Sequence, residues 1–328
     1  MKTGTWALAA VGAILFVWYR VSVVPFTVVN RASREPAFPV DAVYTWVDSS
    51  DVNWQNDLMQ RQGVGDKRPE RFPSERHADT ELKLSMALAD KHMPWLRYIF
   101  IVVARPQHCK WWADYPKIRV VYHDELVSVG LPTFNSVAIE LFLHRIPGLA
   151  EHFVYFNDDL YVLRPVPKSV FFDSTGGFYS LVETLAPRFQ LPYLSWYVFG
   201  DPYMLAQLRL ANELGYVRKL NRLHVPCAMT KSGLQRALKR WPKWARQTLL
   251  RPFRSPDDFP VFEAAINMNG RVLKDGPKSM YTSNRMVFTA STIKDVTFAI
   301  FNNPRTEEDY QTIQRVLRLR LGHGNYKT

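Results

Sequence analysis

Four short runs rich in β-branched and aromatic residues constrain this chain most: "DAVYTWV" (Asp41–Val47), "RYIFIVV" (Arg97–Val103), "KIRVVYH" (Lys117–His123) and "HFVYF" (His152–Phe156). Continuous apolar runs of that length read as strands buried on both faces. Between them, "TELKLSMALADKH" (Thr80–His92) and "NSVAIELFLHRI" (Asn135–Ile146) have helical spacing. The order strand, helix, strand, strand, helix, strand predicts a Rossmann-like, mainly parallel α/β sheet with helices on both faces. The second half is more helical: "PYMLAQLRLANELG" from Pro202, "TKSGLQRALKRWPKWARQTL" from Thr230, and a last helix from about Thr306 to Leu321. It reads as a helical C-terminal elaboration of one unit, not as a second domain.

In such sheets ligands bind beyond the carboxyl ends of the strands. There this chain is acidic. Asp48 and Asp51 follow the first strand, and Asn157, Asp158 and Asp159 follow the fourth. Adjacent carboxylates repel unless a cation, a proton or a positive side chain lies between them. A divalent cation on a diphosphate takes one or two carboxylates and fills its other positions with phosphate oxygens and water, which a strand-end Asp pair supplies. The plainer reading is a solvated turn. "TWVDSSD" (Thr45–Asp51) is likewise either a turn in which Asp48 or Ser50 caps the next helix, or a seat of short polar side chains for a phosphate. Thr133, Asn135 and Ser136 stand at a predicted helix start, whose free amides would suit a phosphate as well as a cap.

Downstream, "HVPC" and "RPFRSPDDF" contribute His224, Arg251, Arg254, Asp257 and Asp258. A histidine exchanges protons near neutral pH and an arginine contacts a phosphoryl group with two donors, while "SPDDF" reads as the N-terminal cap of the following helix. His224 and Cys227 could be two zinc ligands, but no second pair completes a site. The two cysteines, Cys109 and Cys227, are too few for a disulfide framework and fit a reducing compartment.

The N-terminus carries "TWALAAVGAILFVWY" (Thr5–Tyr19), an uncharged apolar run of 15 residues. At about 1.5 Å per residue it spans roughly 22 Å of a hydrocarbon core of about 30 Å, so a full crossing recruits flanking residues. The expected organisation is a membrane anchor over 1–29, a linker over 30–39 and a folded domain over 40–328. A cleaved signal peptide and an interfacial helix are the alternatives. Arg20, Arg31 and Arg34 place the bulk of the chain on the cytoplasmic side of a membrane. The lumenal or exported side is the alternative. The formal net charge of +12, from 42 Lys and Arg against 30 Asp and Glu, favours anionic partners. Beyond that charge no recognisable nucleic-acid module is present, so nucleic acid is not an expected partner.

Together these stretches resemble the Stealth proteins, bacterial capsular and exopolysaccharide sugar-phosphate transferases related to the catalytic subunit of the lysosomal-enzyme N-acetylglucosamine-1-phosphotransferase. The resemblance runs from about Val40 to Leu321. It rests on "DAVYTWVDSSD", on the long block from "RHADTELKLSMALADKHMPWLRYIFIVV" through "LPTFNSVAIELFLHRIPGLAEHFVYFNDDLYVLRPV", and on "HVPCAMTKSGLQRAL" continuing to "RPFRSPDDF". It implies transfer of a sugar 1-phosphate from a nucleotide-sugar, commonly UDP-linked, to a hydroxyl of a glycan or glycolipid, with release of the nucleoside monophosphate. Asp158 and Asp159 would then bind Mg²⁺ or Mn²⁺, and Asp48 and Asp51 would seat the nucleotide and diphosphate. Thr45, Arg76, Asn135 and Asp257 join the substrate-binding set, with His224 as general acid/base and Arg254 as phosphate clamp. The chain departs from the family pattern at Ala87, where an Arg is usual, in "VVARPQ" (Val102–Gln107), and at Asn303, where an Asp is usual. The rival expectations are an ordinary metal-dependent glycosyltransferase that releases UDP, and a non-catalytic binder of anionic glycans.

Overall fold

The computed structural model describes residues 22–23, 27–31, 34–63, 78–181, 202–217, 225–273, 276–283, 293–302 and 306–322. In chain order the strands are β1 (Ser22–Val23), β2 (Thr27–Val29), β3 (Val40–Thr45), β4 (Leu96–Val103), β5 (Ile118–Tyr122) and β6 (His152–Asn157). They continue as β7 (Leu160–Val162), β8 (Tyr216–Val217), β9 (Cys227–Thr230), β10 (Arg271–Leu273), β11 (Ser279–Ser283) and β12 (Phe298–Asn302). The first helices are α1 (Val52–Gln62), α2 (Ala78–His92), α3 (His123–Leu126) and α4 (Ser136–Glu140). After them come α5 (Pro202–Leu214), α6 (Lys231–Arg240), α7 (Pro242–Leu249), α8 (Val261–Asn269) and α9 (Glu307–Leu321).

The central sheet is ordered β5-β4-β3-β6-β9. Its first four strands are parallel, as the alternating pattern predicts, and β9 is added antiparallel to β6. Both faces are covered. On one, the Tyr44 ring stacks on Phe156 at 4.8 Å and its hydroxyl meets Ser85 Oγ of α2 at 3.2 Å. On the other, Tyr155 packs edge-on against Phe262 of α8 at 4.8 Å. Burial on two faces is why β3, β4 and β6 are apolar without alternation.

The amino-terminal edge of the sheet is pinned by one buried carboxylate. Asp41 is fully buried and accepts from Arg97 Nε at 2.9 Å and Nη2 at 2.7 Å. It also accepts from the Tyr98 amide at 3.2 Å and the Ala150 amide at 2.7 Å, tying β3 to β4 and to the entry of β6. A buried charge of this kind is tolerable only when its oxygens are satisfied.

Three expectations change. The helix predicted over 135–146 ends at Glu140 and gives way to a 3-10 turn at Leu143–Arg145. Leu141, Phe142, Leu143 and Ile146 all bury, which a single helical stripe facing the sheet does not allow, and Pro147 follows. The helical run from Thr230 breaks at Trp241, because Pro242 cannot donate to the preceding turn and instead opens α7. The stretch 35–38 of the expected linker is strapped to the fold: Glu35 accepts from Ser169 N at 3.1 Å and Oγ at 2.7 Å, and Lys168 Nζ donates to the carbonyls of Pro36 (3.1 Å) and Phe38 (3.0 Å). Further upstream, β1 pairs with β8 and β2 with β10. The apolar run 5–19 lies outside the described residues; among the described residues no helix is long and apolar enough to cross a membrane.

A smaller sheet, β11-β12-β7, carries a second core in which Leu84 and Leu88 of α2 meet Tyr161, Phe301 and Leu317 of α9. One glycine fixes how α7 meets the loop before α4. Gly130 has φ 77°, and a Cβ there would fall within van der Waals contact of the Leu249 carbonyl oxygen. Gly130→Ala therefore meets both backbone strain and a clash with main chain, and is expected to destabilise by about 2 kcal/mol or more. Thermal unfolding of the variant beside Gly63→Ala checks this, since Gly63 also has positive φ (64°) but open space around it, and should be affected less.

Candidate functional site

The parallel register sets Thr45 beside Val102 on one side and Asn157 on the other, so the loops that follow β3, β4 and β6 share one edge. Thr45 Oγ1 lies 2.7 Å from the Tyr155 hydroxyl. After β4, Gln107 is buried and grips the backbone of Asp48: its Nε2 donates to the Asp48 carbonyl at 2.7 Å and its Oε1 accepts from the Asp48 amide at 3.2 Å. Asp48 Oδ1 in turn accepts from Ser50 N at 2.8 Å and Oγ at 2.6 Å. Asp51, not Asp48 or Ser50, caps the next helix by accepting from the Trp54 amide at 2.7 Å.

After β6 the chain turns through Asp158 and Asp159 into β7. Both carboxyls are half-buried, and protein surrounds them closely enough that desolvation dominates their behaviour. Asp158 is pushed up to about 7 by burial and then by the neighbouring charge of Asp159, and burial raises Asp159 to about 6. Asp159 Oδ1 is buried with no hydrogen-bond partner among the described residues. Behind the pair, Glu81 of α2 is buried and pushed up to about 9, first by burial and then by Asp158 and Asp159. The hydroxyls of Tyr44, Tyr161 and Tyr310 are pushed up as well, each mainly by burial. These acidic groups thus share a desolvated place that disfavours their charged forms. Among the described residues no group of three or more His, Cys, Asp or Glu side chains is gathered closely enough to hold a metal by itself. The donor set is the Asp pair with its unpartnered oxygen, and it fits a cation whose remaining positions are filled by a substrate's oxygens.

The second rim of the edge is the start of α4. Asn135, fully buried, accepts from the amides of Val137 at 3.1 Å and Ala138 at 3.4 Å. Its Nδ2 donates to Asp258 Oδ2 at 2.8 Å and to the Phe253 carbonyl at 3.2 Å. The stretch "SPDDF" does not cap the helix that follows it: Pro260 stands at the N-cap of α8, which has no side-chain cap. The carboxylate of Asp258 turns inward to accept from Ser255 N at 2.8 Å and Arg251 Nη1 at 3.4 Å. This folds the third block onto the second and places Arg254 over the helix start, with Nε and Nη2 donating to Ser136 Oγ at 3.0 and 2.6 Å. Phe134 joins the two rims, packing on Trp54 of α1 at 5.4 Å and on Phe253 at 5.6 Å.

Asp257 is exposed and pairs with Arg209 of α5 at 2.9 Å. Arg76, His224 and Asn303 lie outside the described residues. Ala87 is buried in α2, an uncharged side chain where the family pattern has an arginine. Sequence reading gave no role to Gln107, Glu81 or Glu140. The last two are recoverable as single carboxylates inside otherwise apolar helical faces, in "TELKLSMAL" and "SVAIELFL", and both are buried.

In the unfolded chain Asp158 and Asp159 ionise near 4, whereas in the folded chain they keep protons up to about 7 and about 6. The folded state therefore binds protons more tightly, and this contribution to stability is full at low pH and lost as pH rises from about 4 to about 7. Asp158→Asn cannot ionise, so without divalent cation it is expected to melt several degrees above the unmodified chain at pH 8 and to match it near pH 4.5. Thermal unfolding at the two pH values checks both the sign and the window.

Comparison with known proteins places this edge in a family. Residues 38–61 match the family model described as Stealth protein CR1, conserved region 1, and residues 76–179 match Stealth protein CR2, conserved region 2. The capsular polysaccharide phosphotransferase LcbA of Aeromonas hydrophila is 44% identical over 144 residues, 42% of this chain and 40% of that protein. The exopolysaccharide phosphotransferase SCO6021 of Streptomyces coelicolor is 34% identical over 261 residues, 74% of this chain and 46% of that protein. The chain thus spans less than half the length of these relatives. A crystal structure of the galactosyltransferase LgtC with donor and acceptor sugar analogues aligns with a TM-score of 0.46 at 10% identity, over 88% of this chain and 97% of that one, a likeness of general chain path only. Asp48, Gln107, Asn135, Asp158 and Asp159 all fall inside the two matched regions, so this edge of the chain carries conserved regions 1 and 2 of the Stealth proteins.

Proposed function

We propose that this chain transfers a sugar 1-phosphate from a nucleotide-sugar to a hydroxyl of a glycan or glycolipid acceptor in capsular or exopolysaccharide synthesis. The observation that carries the reading is the desolvated Asp158–Asp159 pair at the end of β6, with a buried oxygen that has no hydrogen-bond partner among the described residues. Its relatives are named capsular and exopolysaccharide phosphotransferases, which favours phosphoryl over glycosyl transfer. The acceptor oxygen attacks the phosphorus that bears the sugar and a new P–O bond forms. The P–O–P bond breaks, and the nucleoside monophosphate leaves with the electron pair. The hydroxyl proton goes to a base, the role proposed for His224.

Asp158 and Asp159 would hold Mg²⁺ or Mn²⁺, which when bound supplies positive charge against the diphosphate. Gln107 keeps the Asp48 loop and its amides rigid at the donor end, with Thr45 and Asp51 beside them. Arg254 stands ready to exchange its bond with Ser136 for a phosphoryl oxygen, a bidentate geometry that lysine would not reproduce. Arg76 and Asp257 complete the proposed substrate set. The donor is proposed to be UDP-linked. Residues 5–19 would tether the chain to a membrane with this unit on the cytoplasmic side; removing residues 1–20 leaves both upstream strand pairs in place and is expected to release the protein with its chemistry intact.

An ordinary glycosyltransferase on the same site would break the sugar–oxygen bond and release a nucleoside diphosphate. Incubating the chain with a panel of nucleotide-sugars, Mg²⁺ and a glycan acceptor separates the two: the monophosphate is expected, and release of the diphosphate would overturn the reading. Asp158→Asn and Asp159→Asn should each retain the fold by circular dichroism and lose about 10³-fold or more in turnover. Near-normal turnover in both would remove the proposed cation site.

A further inference from the structure

The stretch from Lys231 to Arg254 holds eight Lys and Arg and no Asp or Glu. Its two helices each bury one face: Leu234 and Ala237 in α6, Trp244, Ala245 and Thr248 in α7. The opposite faces expose Arg236, Lys239, Arg240, Lys243 and Arg246. Arg240 lies over the Trp241 ring at 5.0 Å and Arg236 Nη1 donates to Ser232 Oγ at 3.2 Å, and among the described residues none of the five makes an ion pair. Elsewhere on the surface, cations such as Arg105 and Arg209 are matched by Asp124 and Asp257. The unmatched row leads to the site. α7 packs against α4, its end is held on Gly130, and the chain runs directly on to Arg251 and Arg254 at the start of α4.

We propose that this basic face is the docking track for a phosphodiester-linked acceptor glycan, a polymer with one negative charge per repeat. The inference deepens the phosphotransfer reading and rests on it, because that reaction makes such a polymer and each product is the next acceptor. The ten residues of α6 and eight of α7 span about 15 and 12 Å, long enough to meet more than one repeat. A lipid surface fits less well. An interfacial helix inserts an apolar face, and here the apolar faces of both helices are already used by the core, leaving Leu250 as the one large apolar side chain exposed beside the row among the described residues.

The test is the variant Arg236→Gln/Lys239→Gln/Lys243→Gln/Arg246→Gln in the full chain, which spares Arg240 on Trp241 and leaves Arg251 and Arg254 in place. Long-chain inorganic polyphosphate should bind the unmodified chain with steep salt dependence, and the variant about tenfold or more weaker with a shallower slope. With a phosphodiester-linked oligosaccharide acceptor KM should rise about tenfold at unchanged kcat, while a single-sugar acceptor is turned over normally. Unchanged polyphosphate affinity overturns the track, as does an equal rise in KM for the single-sugar acceptor. So does a variant that keeps polyphosphate affinity but no longer sediments with phosphatidylglycerol vesicles. If polyphosphate binding is lost as expected but no donor releases a monophosphate in either protein, the polyanion track stands and the transfer reading fails.

Discussion

The hydrogen bond from Asn135 to Asp258 decides whether this edge of the sheet is a site at all. It joins two stretches more than a hundred residues apart, and both partners are essentially buried. The Asn135 carbonyl oxygen caps α4 while its amide reaches across, so the orientation that satisfies the helix is the one that can reach Asp258. Asp258, in the same way, folds its own loop through the Ser255 amide and holds Arg251. Among the described residues Arg254 is anchored on Ser136, and it sits there because the loop is closed on both sides of it. A buried polar network of this type is strongly specifying when every member is satisfied and strongly destabilising when one is removed.

The carboxylates after β6 obey the opposite logic. Asp41, at the other end of the same sheet, has every oxygen answered by a guanidinium or an amide. Asp158 and Asp159 have neighbours of like charge and an unanswered oxygen. The sheet thus keeps a satisfied carboxylate where it needs rigidity and unsatisfied ones where the cation and diphosphate are proposed to bind. Stability forgone at the ligand edge is the expected mark of a place built to gain charge neutralisation from something that binds.

The strands were legible because burial on two faces leaves no alternative pattern: β3, β4, β5 and β6 lie where the apolar runs predict, and in parallel order. The carboxylate pair was legible for the same reason, as charges abutting such a run. Helix ends were less so. The stop of α4 at Glu140 depends on where Leu141, Phe142 and Leu143 find room, which is a property of the packed core. The role of Asp258 was misread because an Asp before an apolar helix looks the same whether it caps that helix or reaches for an asparagine elsewhere. Gln107 had no local signal of any kind. Its function is to match a backbone donor and acceptor 59 residues away, and only the parallel crossover brings them together.

The smaller sheet ties the carboxylate turn to the end of the chain. β7 leaves Asp159 and pairs antiparallel with β12, with Leu160 opposite Ile300. Tyr161, opposite Ala299, meets the Phe301 ring at 5.5 Å inside the second core, which α9 closes over α2. Glu81 is on the same helix, one turn before Ser85, whose hydroxyl donates to the Leu160 carbonyl at 2.5 Å. Thus α2 holds the turn from below by a hydrogen bond and backs it with a carboxyl that burial keeps protonated at neutral pH, while β12 fixes it from the side. The proposed cation-binding turn needs this support, since two like charges on an unsupported loop would separate into solvent instead of facing one ligand.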